Sequence, residues 1–276
     1  MKNLKIKLSA LAVLAMVAIG VTFTSCQKDH EITNKSSSIN NNNFYQTMSP
    51  NQSDFEFSQS EIEFIGSEHN RLCIEVYNLG LTNNYSTLFE TLNTVLDNND
   101  YENLIIDDYN FINSANNSTT FISDMITGIE NDNEKQIIQD LVDALDNYQN
   151  VSTFTNVVEH LKSTANNQLG GLNKTAVLIA LEVASNSSKM WALTEMGGQN
   201  YADGHNGITD TTPLAVSGKK VGHIVIADAL GAYTGFLSGA AGYLFSGGPF
   251  NPISNAYLAG HTIIGAASFS ISKALP

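Results

Sequence analysis

The chain has 276 residues, 13 Lys and Arg against 27 Asp and Glu, and 42% hydrophobic residues, which leaves room for one or two domains with a real core. A formal net charge of −14 repels phosphate at every approach and argues against a nucleic-acid binder.

Lys2, Lys5 and Lys7 make a basic start, Leu8 to Phe23 is an apolar run of 16 residues, and Ser25-Cys26 follows at once. A membrane span needs about 20 apolar residues. Residues 1–25 therefore read as a secretory signal in preference to a retained helical anchor. Phe23-Thr24-Ser25-Cys26 resembles the lipobox of bacterial type II signal peptides, in the Ser-Cys form common in Bacteroidetes, with Phe23 standing where Leu is usual. The resemblance implies cleavage before Cys26, a diacylglyceryl group on its sulfur, and the membrane as a partner through the acylated cysteine. Gln27, Lys28, Asp29 and Glu31 are similar to the signal that sends such lipoproteins to the outward face of the outer membrane, with His30 interrupting the acidic pair. That similarity implies an address, lipid-anchored and facing out of the cell, and no activity.

Loss of the three signal lysines leaves a mature chain of 251 residues with 10 Lys and Arg against 27 Asp and Glu, a net charge of −17. Such a surface avoids anionic headgroups and suits a body held outward by its acyl chains. With Cys26 lipidated, Cys73 has no disulfide partner and is expected as a small buried apolar side chain.

Residues 26–58 are dominated by Asn, Ser, Gln and Lys and carry too little apolar surface to offset the entropy of ordering. They predict a lipidated flexible tether, and a coil of roughly 30 residues has an r.m.s. span of about 30 Å. The alternative is an irregular edge of the domain anchored by Phe44, Tyr45, Phe55 and Phe57.

Residues 59–198 predict a helical domain. Ile62, Phe64, Ile65, Leu72, Cys73, Val76 and Tyr77 recur at helical spacing, as do Leu88, Leu92, Val95 and Leu96. Tyr101 to Asn113 allows a short helix. Phe121 to Ile129, Ile137 to Leu145 and Thr153 to Asn166 continue the pattern. Asn173 is placed to cap a long helix through Trp191 that Gly197-Gly198 stops. No stretch alternates as strands do, so the fold is expected to be all-α, a helical array.

Residues 199–220 read as a loop rich in Gly and Pro. Asp203 to Asp210 offers oxygen ligands without EF-hand spacing and is read as a polar turn. Asp210-Thr211-Thr212 is similar to the O-glycosylation sequence of exported Bacteroidetes proteins, which implies a sugar on Thr211.

Residues 221–276 predict a helical hairpin. Gly231, Gly235 and Gly239 repeat every four residues and Gly242 follows, leaving one helix face nearly bare for a second backbone. Gly247-Gly248-Pro249 makes the turn, and Ala256, Gly260 and Gly265 lie on the second arm. Val221 to Phe245 and Ile253 to Leu275, 25 and 23 residues, are each long enough to span a bilayer. Asp228 opposes insertion unless paired, and Lys273 at the open end of the hairpin is its candidate ion-pair partner.

The six His include no pair at zinc-protease spacing, Ser238 and Ser270 lie in only nominal nucleophile motifs, and no cofactor or metal is expected. His69, beside Asn70, is expected as a hydrogen-bonded core or interface histidine, and Trp191 as a core aromatic. Phe64 to Asn70, Met190-Trp191 and the Gly-rich tail from Asp228 resemble uncharacterised secreted proteins of Bacteroidetes, which implies no activity. The expectation is a non-enzymatic surface lipoprotein that binds a protein partner, assembles with itself or serves the envelope structurally. The alternative is a toxin-like or pore-forming protein that inserts its glycine hairpin into a membrane.

Overall fold

The computed structural model describes residues 56–78, 85–98, 121–192, 218–245 and 258–267. They form α1 (Gln59–Asn78), α2 (Tyr85–Asn98), α3 (Phe121–Gly128), α4 (Asp132–Asp146), α5 (Val151–Gln168), α6 (Gly171–Ala192), α7 (Gly218–Phe245) and α8 (Leu258–Ala267). The fold is all-α, with no strand among the described residues. The short helix expected over Tyr101 to Asn113, residues 199–217 of the expected loop and the hairpin turn lie outside these residues, whereas Gly218 to Lys220, expected in that loop, form the first turn of α7.

The start of α1 is set by a reciprocal cap. Glu61 N donates to Ser58 Oγ at 3.3 Å, and Ser58 N donates to Glu61 Oε2 at 2.7 Å, which satisfies two donors at the helix end. Flanking this box, Phe57 and Ile62 are both buried, as in a hydrophobic staple. The Phe57 ring meets Phe236 of α7 edge-on with centroids 5.6 Å apart, and Glu56 pairs with Lys174 of α6 at 3.1 Å. The body thus begins before the boundary drawn at Ser58, and Phe57 belongs to the core instead of the tether. Phe64 departs from the expected stripe. At 100° per residue it is turned away from Ile62, Ile65, Leu72, Cys73 and Val76, and it is 52% exposed where they are buried.

Asparagines cap α4 and α5. Asn131 Oδ1 accepts from the backbone N of Asn133 and Glu134 at 3.0 and 3.1 Å, and Asn150 Oδ1 accepts from Thr153 N at 2.8 Å. The turn from α5 into α6 needs Gly171, whose φ of 59° is a left-handed conformation that side chains with a Cβ resist. That turn corrects the cap expected at Asn173. The helix starts two residues earlier, and the Asn173 amide is free to donate to Glu134 Oε2 at 2.8 Å.

α6 is buried around nearly its whole circumference because it is the central helix, packed by α1, α5 and α7 and touched by α4. Apolar side chains from all eight helices join one core. α7 lies along α6 and α4, and α8 closes on α7 through glycines. A Cβ on Gly231 would sit 2.5 Å from the Gly265 carbonyl oxygen, and one on Gly235 would sit 2.6 Å from that of His261. On the other side of the sheath, Gly222 of α7 rests against the Leu145 carbonyl at the end of α4. Val221–Ala240 is long and apolar enough to cross a membrane, yet most of it is buried within the body.

Candidate functional site

Polar side chains gather where α1, α6 and α7 meet. α1 presents His69 and Cys73 there, which share a helix face at i and i+4, with Asn70 at the edge of that face. α6 presents Ser187 and Trp191, again at i and i+4, and α7 presents Asp228. His69, Ser187 and Asp228 are wholly buried.

Asp228 is the hub. Its Oδ2 accepts from Ser187 Oγ and, at 3.2 Å, from the Trp191 indole N–H. Its Oδ1 lies 3.8 Å from His69 Nε2. A chain of further contacts orients that imidazole. Asn70 Nδ2 donates to the Asn186 carbonyl at 2.9 Å, which turns Asn70 Oδ1 toward His69 Nδ1 at 3.1 Å. Nδ1 therefore carries the hydrogen, and Nε2 faces Cys73 Sγ at 3.4 Å as an acceptor for the thiol. Burial pushes the His69 pKa down, while the Asp228 charge and the Asn70 hydrogen bond oppose that shift. The expectation that Cys73 packs as a plain apolar group is corrected in one respect: its sulfur has an imidazole neighbour.

Thiol, imidazole and amide stand here in the order that nucleophilic catalysis uses. Cys73 is 1% exposed and His69 is 0%, so both are enclosed between the helices. The arrangement fixes three helices in one register, since each polar group finds its partner only when α1, α6 and α7 are aligned. Among the described residues no group of three His, Cys, Asp or Glu is placed to hold a metal ion.

Two further polar junctions lie in the core. Glu134 of α4 accepts from Tyr233 of α7 and Asn173 of α6. Lys162 of α5 reaches Glu182 of α6 at 2.6 Å, and Glu182 also accepts from Asn186 at 2.7 Å. His261 of α8 is half-buried beside the glycine face of α7 with its ring Nε2 enclosed, and this desolvation pushes its pKa down to about 4.

Of the residues singled out from sequence, Asp228 is in the polar hub, and Gly231 and Gly235 carry the α7 to α8 contact. Gly239 faces His261 and Leu258, with a Cβ there falling 3.1 Å from His261 Cβ. Gly242 lies within α7. Cys26, Gln27, Lys28, Asp29, Glu31, Thr211 and Lys273 fall outside the described residues. Sequence reasoning missed Ser187 as a partner of Asp228 and missed Glu134 altogether. Spacing carried no signal for the first, because Ser185, Asn186 and Ser188 flank Ser187 on the same helix. No protein-family model, curated protein or solved structure matches the chain.

Proposed function

We propose that the chain is a lipoprotein of the outer membrane, held by acyl chains on Cys26 and facing outward, whose acidic helical body binds a partner or serves the envelope structurally without catalysis. The observation that carries this reading is Cys26 itself, set directly behind small residues at the end of a 16-residue apolar run with lysines before it. Supporting it is the way the body uses its reactive groups. Asp228, His69 and Cys73 contact one another in the core, and the glycine face of α7 packs on α8. The acidic exterior is then what remains to meet a protein partner or a second copy.

A second reading has one observation in its favour. Val221–Ala240 has the length and composition of a membrane span, as a pore-forming hairpin requires. Against this stands the cost of carrying Asp228 to mid-bilayer, about 2.5–3.5 kcal/mol on insertion scales, once its partners on α1 and α6 are left behind.

Liposome flotation of mature protein carrying Cys26→Ser separates the two. The lipoprotein reading expects the protein to stay at the bottom of the gradient, and flotation without the lipid would favour the hairpin. Protease shaving of intact cells tests the address: cleavage of the body is expected, and full protection would contradict outward display.

A further inference from the structure

We propose that Glu134 is a proton-operated clasp on α7, closing the junction of α4, α6 and α7 while its carboxyl holds a proton and loosening it on ionisation. The geometry is that of a single side chain joining three helices. From the first turn of α4, Glu134 sets Oε1 2.8 Å from Tyr233 Oη at the middle of α7 and Oε2 2.8 Å from Asn173 Nδ2 in the first turn of α6. Its own backbone N–H is held by the Asn131 cap, and the residue is 4% exposed.

Both contacts survive protonation. Asn173 continues to donate to the carbonyl oxygen, and Tyr233, a hydroxyl, can turn from donor to acceptor and take the carboxyl hydrogen. Ionisation adds a charge to a buried site where the contacting donors, Tyr233 and Asn173, are neutral, and that cost weakens the closed junction. Tyr233 is the titratable group that faces the carboxyl. Several charges of the surrounding elements are engaged elsewhere. Lys135 of α4 reaches the Thr127 carbonyl at the end of α3, and Lys174 of α6 is held by Glu56. On α5 and α6, Lys162 takes Glu159 and Glu182. On α7, Asp228 is bound in its own cluster and His223 lies 3.9 Å from Asp146. Burial accordingly raises the Glu134 pKa to about 7, with the Tyr233 hydrogen bond acting in the opposite direction.

The sign follows from proton binding. The folded protein holds this proton to higher pH than the unfolded chain does, so the closed junction is favoured at acid pH and loses that advantage as pH rises through about 7. The helix so clasped is the one of membrane length, which ties the packing of α7 to the acidity around the body.

The test uses full-length mature protein at pH 5 to 8.5, comparing wild type with Glu134→Gln and Tyr233→Phe. As pH rises from about 5 through about 7, wild type should lose thermal stability relative to Glu134→Gln and gain amide exchange in α7 beyond the intrinsic pH dependence of exchange. Glu134→Gln should remove that part of the slope, and Tyr233→Phe should move its midpoint upward because the anion loses a donor. The Glu134 carboxyl carbon, followed by NMR in wild type, should titrate near 7, and this reading stands even if the glutamine variant fails to fold. A carboxyl that titrates in the ordinary range below 5, or equal slopes in wild type and Glu134→Gln, would overturn the proposal.

Discussion

Ser187 donates its hydroxyl to Asp228 across the contact between α6 and α7, and the imidazole of His69 on α1 lies against the other carboxylate oxygen. Two donors to the carboxylate, the Ser187 hydroxyl and the Trp191 indole, come from one helix. Removing a donor from a buried carboxylate leaves its desolvation only partly compensated. Ser187→Ala is therefore expected to cost about 1–3 kcal/mol in urea unfolding, and Asp228→Asn less, since the amide still accepts. In a double-mutant cycle the two changes should be coupled; additive effects would show that the contact contributes nothing specific.

The contact of α7 with α8 predicts a position-dependent effect of one methyl group. Gly235→Ala drives a Cβ to 2.6 Å from the His261 carbonyl oxygen, which belongs to backbone and cannot move aside cheaply. A loss of about 1–3 kcal/mol is expected, as for overpacked cores. Gly128→Ala is the control, because nothing lies within 4 Å of its added Cβ, and it should change stability by no more than about 0.5 kcal/mol. Equal effects at the two sites would contradict close packing.

Phe57 tests where the body begins. It is 6% exposed and packs edge-on against Phe236, so Phe57→Ala should cost about 3–5 kcal/mol in thermal or chemical unfolding. A change within about 0.5 kcal/mol would return Phe57 to the tether.

Acid stability should report His261. Burial holds its folded pKa near 4 against an ordinary value of 6.5, so the unfolded chain takes the proton first. The associated stability is complete above about 6.5, declines as pH falls from there to about 4, and amounts to at most about 3 kcal/mol. Glu134 pulls the other way over much of the same range, since its proton favours the folded state. Wild type should thus show a shallow profile between pH 4 and 7, and Glu134→Gln should show a steeper acid decline. A parallel pair of profiles would mean that the two groups do not oppose each other.

Most of the helices were legible from apolar spacing because α1, α4 and α5 each bury one face and leave the other in water, which prints the period on the sequence. The glycine spacing of α7 likewise announces a backbone approach, though not which backbone supplies it. Less was legible where burial is complete. α6 is enclosed on every side, so its polar residues carry no outward face to mark them, and Ser187 reads as one serine among several. The pairings of Asp228 with His69 and of Glu134 with Tyr233 join residues 159 and 99 positions apart, and spacing within one helix does not encode such contacts. The start of α6 was misplaced for a local reason: Asn173 is a good capping type, but the left-handed turn at Gly171 begins the helix before it. The Ser58 to Glu61 box was readable as a cap and would have brought Phe57 into the domain.

The central claim concerns the sulfur of Cys26. Metabolic labelling with a fatty-acid probe, followed by mass spectrometry of the N-terminal peptide from native protein, tests it directly. The account predicts a mature chain that begins at Cys26 and carries acyl groups on it, with the label lost in Cys26→Ser. An unmodified thiol at that position, or a chain retaining residues 1–25, would contradict it.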